Sequence, residues 1–451
     1  MPHCEPSGKP ANRYLIRQPK ALQYFHNGEL VRASEGERQA GRFELFLDLL
    51  YVAIVANFAD NLATHPTGAQ LVKYILIFTP AWHIWSMLKQ LMNSHYNDDI
   101  SQRILILWIM TLLVIYGNNA TLVDEDISAM RTTVGAYIVA RLTEICVYSV
   151  YSFASHYHRI QTWIFASLVL VGLILWMPLF FETVSLRSKV AVAVVAILYE
   201  QAIWLLSFGP WIKRRLGLTY STALDISHEV DRCAAFFIIV LGEYLYTSIV
   251  LSPAAIGLNL RALRAVWTLV IAFCLNWLYV NGDGAVRSTH PLHRAVWSAF
   301  TWILMHLPLN MALLIGGHIC AVSVGKDKLG RGERWLWGGG LGVGLVVLWG
   351  IAMCFRSEDE PGLLWFPKII RMLPRLVVAL VLALLPLASP ERLDPTQLLS
   401  ITAGLFVFLV LWETVGSLER GAGIFEPWTE TEVEQEGEVV LPVNVVDAEK
   451  A

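Results

Sequence analysis

The chain is punctuated by apolar runs of the length that crosses a bilayer. "TWIFASLVLVGLILWMPLFF" (162–181), "VAVAVVAILYEQAIWLL" (190–206) and "ILILWIMTLLVIY" (104–116) reach, or extend to, about 20 residues each. Only helices and closed barrels satisfy every backbone polar group inside hydrocarbon. A barrel needs segments of about ten residues alternating with period two, and that alternation is absent. The expected fold class is therefore all-α, a polytopic transmembrane helical bundle. Composition agrees: 16% of the 451 residues are charged, against about a quarter in soluble domains.

Apolar segments lie near 43–64, 71–92, 103–121, 130–153, 162–181, 188–209, 230–251, 263–280, 295–322, 335–354, 372–389 and 398–417. Some are weak, so the reading is about 10–12 spans. Residues 1–42 form a polar N-terminal segment without an apolar core of signal-peptide type. Residues 43–417 form the membrane domain, and 418–451 an acidic tail of disordered composition. Seven Lys or Arg precede the first span and "KRR" (213–215) falls on the same side, while Lys326, Lys328, Arg331 and Arg334 fall on the other, so the positive-inside rule leans towards a cytoplasmic N-terminus without fixing it. Acidic and tyrosine landmarks recur at an offset of about 185, Glu44 to Asp231, Tyr96 to Tyr279 and Asp98 to Asp283. They suggest two related six-helix halves, 43–209 and 228–417. The net charge of −3 gives no bulk attraction to nucleic acid. Six cysteines without a CxxC pair read as small buried thiols.

The informative residues are the polar ones inside the spans. A charge at a span centre costs about 2.5–3.5 kcal/mol, so it faces the bundle interior and has a reason to be there. Glu243 lies well inside "HEVDRCAAFFIIVLGEYLYTSIV" (228–250), whose start is crowded by His228, Asp231 and Arg232. Arg232 and Glu243 fall within about 20° of one helical face but three turns apart, so the partner of Glu243 is expected from another helix. On the first span Glu44, Asp48 and Tyr51 line one face. Elsewhere stand His83, the neighbours Arg141 and Glu144, and Glu200, with Arg141 placed to reach Glu243 or Glu200.

No GxxxxGK[ST] loop, GxSxG elbow or HExxH motif occurs. No enzyme activity, metal or cofactor is expected. "RFELFLDLLYVAIV" (42–55) resembles the first signature of the bacterial low-temperature-requirement A family, and "HEVDRCAAFFIIVLGE" (228–243) resembles its second. The second departs from the pattern at Asp231, Cys233 and Phe237. The resemblance covers about 42–417, and the polar leader and acidic tail suggest a fungal-type member. It implies a multi-pass membrane protein named for a growth requirement in the cold, with Glu44, Asp48, His228, Asp231, Arg232, Gly242 and Glu243 as signature residues.

Two functions fit these residues. In one, the protein is a secondary transporter or ion-translocating protein. Glu44, Asp48, Arg232 and Glu243 then form the site for an ion, proton or small solute, supported by His228, Asp231, Arg141, Glu144, Glu200 and His83. In the other, it is a structural or stress-adaptation membrane protein whose acids only fasten the helices. Either way its surroundings are the lipid bilayer.

Overall fold

Helix starts run upstream of the apolar residues because a polar side chain caps them. Thr67, Asp99, Ser185, Asp225, Asn259 and Asp394 each accept a first-turn backbone N–H. In the computed structural model, which describes residues 15–27, 29–32, 41–97, 99–154, 156–250, 253–389 and 393–421, twelve helices are long and apolar enough to cross a membrane. They are α1 Arg42–Thr64, α2 Gly68–Ser94, α3 Ile100–Ala120, α4 Ile127–Ala154, α5 Arg159–Trp176, α6 Leu186–Phe208, α7 Ile226–Ile249, α8 Leu260–Val280, α9 Val296–Val322, α10 Arg331–Cys354, α11 Lys368–Leu384 and α12 Pro395–Gly416. Residues 1–14 and 33–40, Asp98 and the stretch 422–451 lie outside the described residues.

Burial is inverted relative to a soluble protein. Leu45, Phe46 and Leu49 of α1, Leu170, Val171 and Ile174 of α5, and Val377 and Leu380 of α11 face outward. Asp48, Arg232 and Arg375 are fully enclosed. A hydrocarbon solvent demands this arrangement. The chain is an integral, multi-pass membrane protein.

Twelve crossings put the N-terminal segment and the links after even-numbered helices on one face, here called the N-face. The strand pairings agree. β1 (Gln23–His26) and β2 (Glu29–Arg32) form a hairpin that sequence patterning did not reveal. β1 also pairs with β3 (Tyr220–Thr222) in the α6–α7 link. β4 (Ser288–Thr289) pairs with β5 (Arg356–Ser357), joining two more N-face links. Tyr24 stacks on Tyr157 at 3.9 Å and holds the hairpin to the α4–α5 link.

Packing repeats along the chain. α1 packs on α2 and α3, α3 on α4, α4 on α5, α5 on α6, and α2 on α6. The same neighbours recur six helices later: α7 on α8 and α9, α9 on α10, α10 on α11, α11 on α12, and α8 on α12. The two sets meet where α1 and α2 press on α7 and α9. At this inner seam Gly317 of α9 lies against the Tyr244 ring of α7, where a β-carbon would come within 1.7 Å of the ring. The Tyr244 hydroxyl donates to the Leu313 carbonyl. Pro80 removes the helical donor to the Leu76 carbonyl, and Tyr116 donates to the adjacent Ile77 carbonyl at 2.7 Å.

Candidate functional site

Two polar clusters occupy the interior. The first joins the N-face ends of α1, α2 and α7. Arg232 grips Asp48 in a two-pronged pair, Nη1 to Oδ2 and Nη2 to Oδ1, both at 2.6 Å. The Trp85 indole donates to Asp48 Oδ1 at 2.6 Å. His228 Nε2 lies 2.8 Å from Glu44 Oε2, and its Nδ1 accepts from Asn93 at 3.2 Å, which fixes the proton on Nε2. Glu44–His228 and Asp48–Arg232 are both separated by 184 residues, so α1 and α7 run parallel and in step. Lys89 of α2 is paired with Glu229 and sits 4.9 Å over the Trp85 ring. These groups are at most 3% exposed. Asp48 has both oxygens bonded, and bidentate charge-assisted bonds are the strongest of their kind.

Glu243 and Asp231 stand apart from this cluster. Glu243 was expected to find its partner on another helix. Its carboxylate instead accepts from Thr247 one turn along, at 2.8 Å, and is half-buried. The helix's buried positions are His228, Glu229, Arg232, Cys233, Phe236, Phe237, Val240, Leu241, Tyr244 and Ser248, and Glu243 falls at the edge of that contact face. Asp231 is exposed and borders an N-face vestibule.

The second cluster lies near the middle of the first six helices. Glu200 of α6 is its hub. Oε2 accepts from His83 Nδ1 at 2.7 Å and from the Tyr137 hydroxyl. Oε1 accepts from the Trp176 indole at 2.8 Å. Arg141 Nη2 is 3.9 Å from Glu200, while its Nη1 donates to Glu144 at 2.6 Å. Gln201 donates to His83 Nε2 at 2.6 Å, which leaves the Nδ1–H of His83 directed at Glu200. One guanidinium, Arg141, faces two carboxylates, Glu144 and Glu200. Arg141 does not reach Glu243; of the two expected targets it meets Glu200.

Glu200 separates two cavities. On its N-face side is a polar cavity of about 70 Å³, bordered by His83, Arg141, Glu144, Gln201 and Tyr148. This shares Gln90, Trp204, Phe208 and Ile303 with a cavity of about 340 Å³. That one shares Phe25, Leu224, Leu292 and His293 with the vestibule of about 680 Å³ under the β1–β2 hairpin. On the other side is an apolar cavity of about 300 Å³, reaching Val123, Asp124 and Leu186 on the opposite face. Tyr137 and Trp176, both bonded to Glu200, line that second cavity. A single layer of side chains thus parts the two.

Several participants were not singled out from the sequence. Lys89, Tyr137, Trp176 and Gln201 gave no motif; the lysine in the apolar run of α2 was the readable signal. Arg375 of α11 and Glu413 of α12 also form a two-pronged pair at 2.7 Å. At the N-face, His95 and His158 pack 5.1 Å apart. Burial lowers His95 to about 4 and His158 to about 3. Neither His158 nitrogen has a partner among the described residues. No group of three or more metal-ligating side chains occurs among the described residues.

No curated protein and no solved structure matches the chain. The family model described as bacterial low temperature requirement A protein (LtrA) matches residues 39–412, which takes in α1 through most of α12 and both polar clusters. With that match over most of its length, the chain belongs to the low temperature requirement A (LtrA) family.

Proposed function

We propose that the protein is a secondary transporter that moves a proton in step with a solute, and that Glu200 is the proton-carrying group. The observation that carries this reading is the position of Glu200 in the layer between two cavities that reach opposite faces. A carboxylate there can exchange a proton with His83 at 2.7 Å on the polar side. If the Gln201 amide turns to present its oxygen to Nε2, His83 can hold a second proton. Two carboxylates against Arg141 leave room for one added positive charge, which a proton supplies without exposing charge to hydrocarbon. The polar cavity of about 70 Å³ admits water-sized species. No covalent chemistry is proposed.

Asp48 has the opposite character. Its two oxygens are taken up by Arg232 and Trp85, and it lines neither of the two cavities that flank Glu200. We assign the α1–α7 acids to fastening the bundle, the alternative the sequence left open for all of them. The matching neighbour pattern of helices 1–6 and 7–12 supports a duplicated fold of the kind transporters use. Proteoliposomes carrying an internal pH-sensitive dye test the carrier role. A gradient of the transported solute, found from a panel, should move the internal pH. Glu200→Gln should insert normally and lose that response, because an amide cannot titrate. A Glu200→Gln variant with the wild-type response would remove Glu200 from the role.

A further inference from the structure

Lys189 of α6 is 7% exposed, and its ammonium has no hydrogen-bond or ion-pair partner among the described residues. It borders the apolar cavity of about 300 Å³ described above, a volume at the lower end of the small-molecule range. The ammonium stands in the first turn of α6, where the helix dipole favours an anion instead of a cation, so an anionic ligand in the cavity relieves the mismatch. Lys73 of α2 borders the same mouth, already paired with Asp124 at 2.8 Å. Below the mouth the walls are Leu76, Ile77, Val134 and Ala193. The floor is Pro80, Tyr137 and Trp176. From Lys73 to Pro80 is about 10 Å of helix rise.

We propose that this cavity binds a single-chain amphiphile with one carboxylate head. The head meets Lys189, and the hydrocarbon tail runs between α2, α4 and α6 to Trp176. One uncompensated ammonium matches one anionic head. Asp124 offsets Lys73 and disfavours a head of higher charge. As a binding site the cavity is independent of the transport reading; as the place where cargo binds, it rests on it.

The test uses the full chain in phosphatidylcholine nanodiscs. Dodecanoate brominated at its terminal carbon quenches tryptophan fluorescence, and the part lost in Trp176→Phe reports the cavity floor. The wild type should bind dodecanoate about ten- to a hundredfold tighter than dodecanol brominated at the same carbon, the range for a hydrogen bond to a charged group. Butyrate should fail to compete, since each buried methylene contributes about fourfold. Lys189→Met should abolish the preference for the acid, and Lys189→Arg should keep it. Glu200→Gln should bind dodecanoate like the wild type. Binding that survives there while solute-driven proton movement is absent from the wild type refutes transport and leaves the site. Equal affinity of the wild type for acid and alcohol, or tighter binding of a phosphate-headed lysolipid than of dodecanoate, overturns the proposal. That wild-type comparison decides the matter even if Lys189→Met fails to fold. A folded Lys189→Met that keeps the preference overturns it too.

Discussion

Replacing Arg232 by methionine strips Asp48 of two hydrogen bonds at 2.6 Å and leaves it the Trp85 indole. Both positions are 0% exposed, so water does not substitute for the lost partner. Breaking a buried pair from one side costs about 3–5 kcal/mol. Arg232 also lies 3.6 Å from the Glu44 carboxylate and donates to the Glu44 carbonyl at 3.3 Å, which argues for the upper part of that range. Asp48→Leu leaves the guanidinium only its longer contacts with Glu44 and should cost toward the lower part of that range. The double variant removes both charges together, and apolar replacement of a whole buried pair is often neutral or stabilising by about 1–4 kcal/mol. The double should therefore be more stable than either single, with a coupling energy above about 2 kcal/mol. Reversible unfolding of the purified protein in mixed micelles, by titration with a denaturing detergent, gives the four stabilities of the cycle. Additivity within about 0.5 kcal/mol would refute a fastening role for the α1–α7 pair.

Gly317→Ala drives a methyl group into the Tyr244 ring and should destabilise the α7–α9 contact by at least about 1–3 kcal/mol. Adding Tyr244→Ala should restore part of that loss, and an unaltered unfolding midpoint for Gly317→Ala alone would contradict the close approach. Buried His95 and His158 stay neutral in the fold to about pH 4 and 3, while the unfolded chain takes up protons below about pH 6.5. Stability should be flat above that pH and fall by about 1.4 kcal/mol per unit for each imidazole as pH drops toward those values. His158→Phe should remove one imidazole's share of the acid slope, and identical slopes in both proteins would count against the buried, neutral assignment.

How far the sequence could be read follows from the range of the forces involved. Every span lies within five residues of the apolar run that marks it, because the bilayer tests hydrophobicity segment by segment. The offsets fall mainly at helix starts, where polar caps extend the helix beyond its apolar residues. The wheel argument placed Arg232 in the interior, and it is there at 0% exposure. The same argument did not locate the partner of Glu243, because a helix's contact stripe follows its neighbours and not an ideal wheel. Asp231 held the family's acidic position in the sequence comparison, yet neighbouring Glu229 is the acid turned inward to Lys89. Which of two nearby acids is buried depends on the rotation of α7 against α2, and packing sets that.

The sequence by itself determined a helical membrane architecture of about 10–12 spans, the burden of interior charge and the short set of residues that must bear it. Those properties depend on composition and local periodicity. Tertiary structure alone decided the pairing: Asp48 closed off by Arg232 and Trp85, Glu200 held by His83, Tyr137 and Trp176 between two cavities, and Lys189 left without a carboxylate. Each partner comes from a different helix, often more than a hundred residues away. The direction in which a buried charge points is fixed by the rotation and depth of its neighbours, information that no single segment carries.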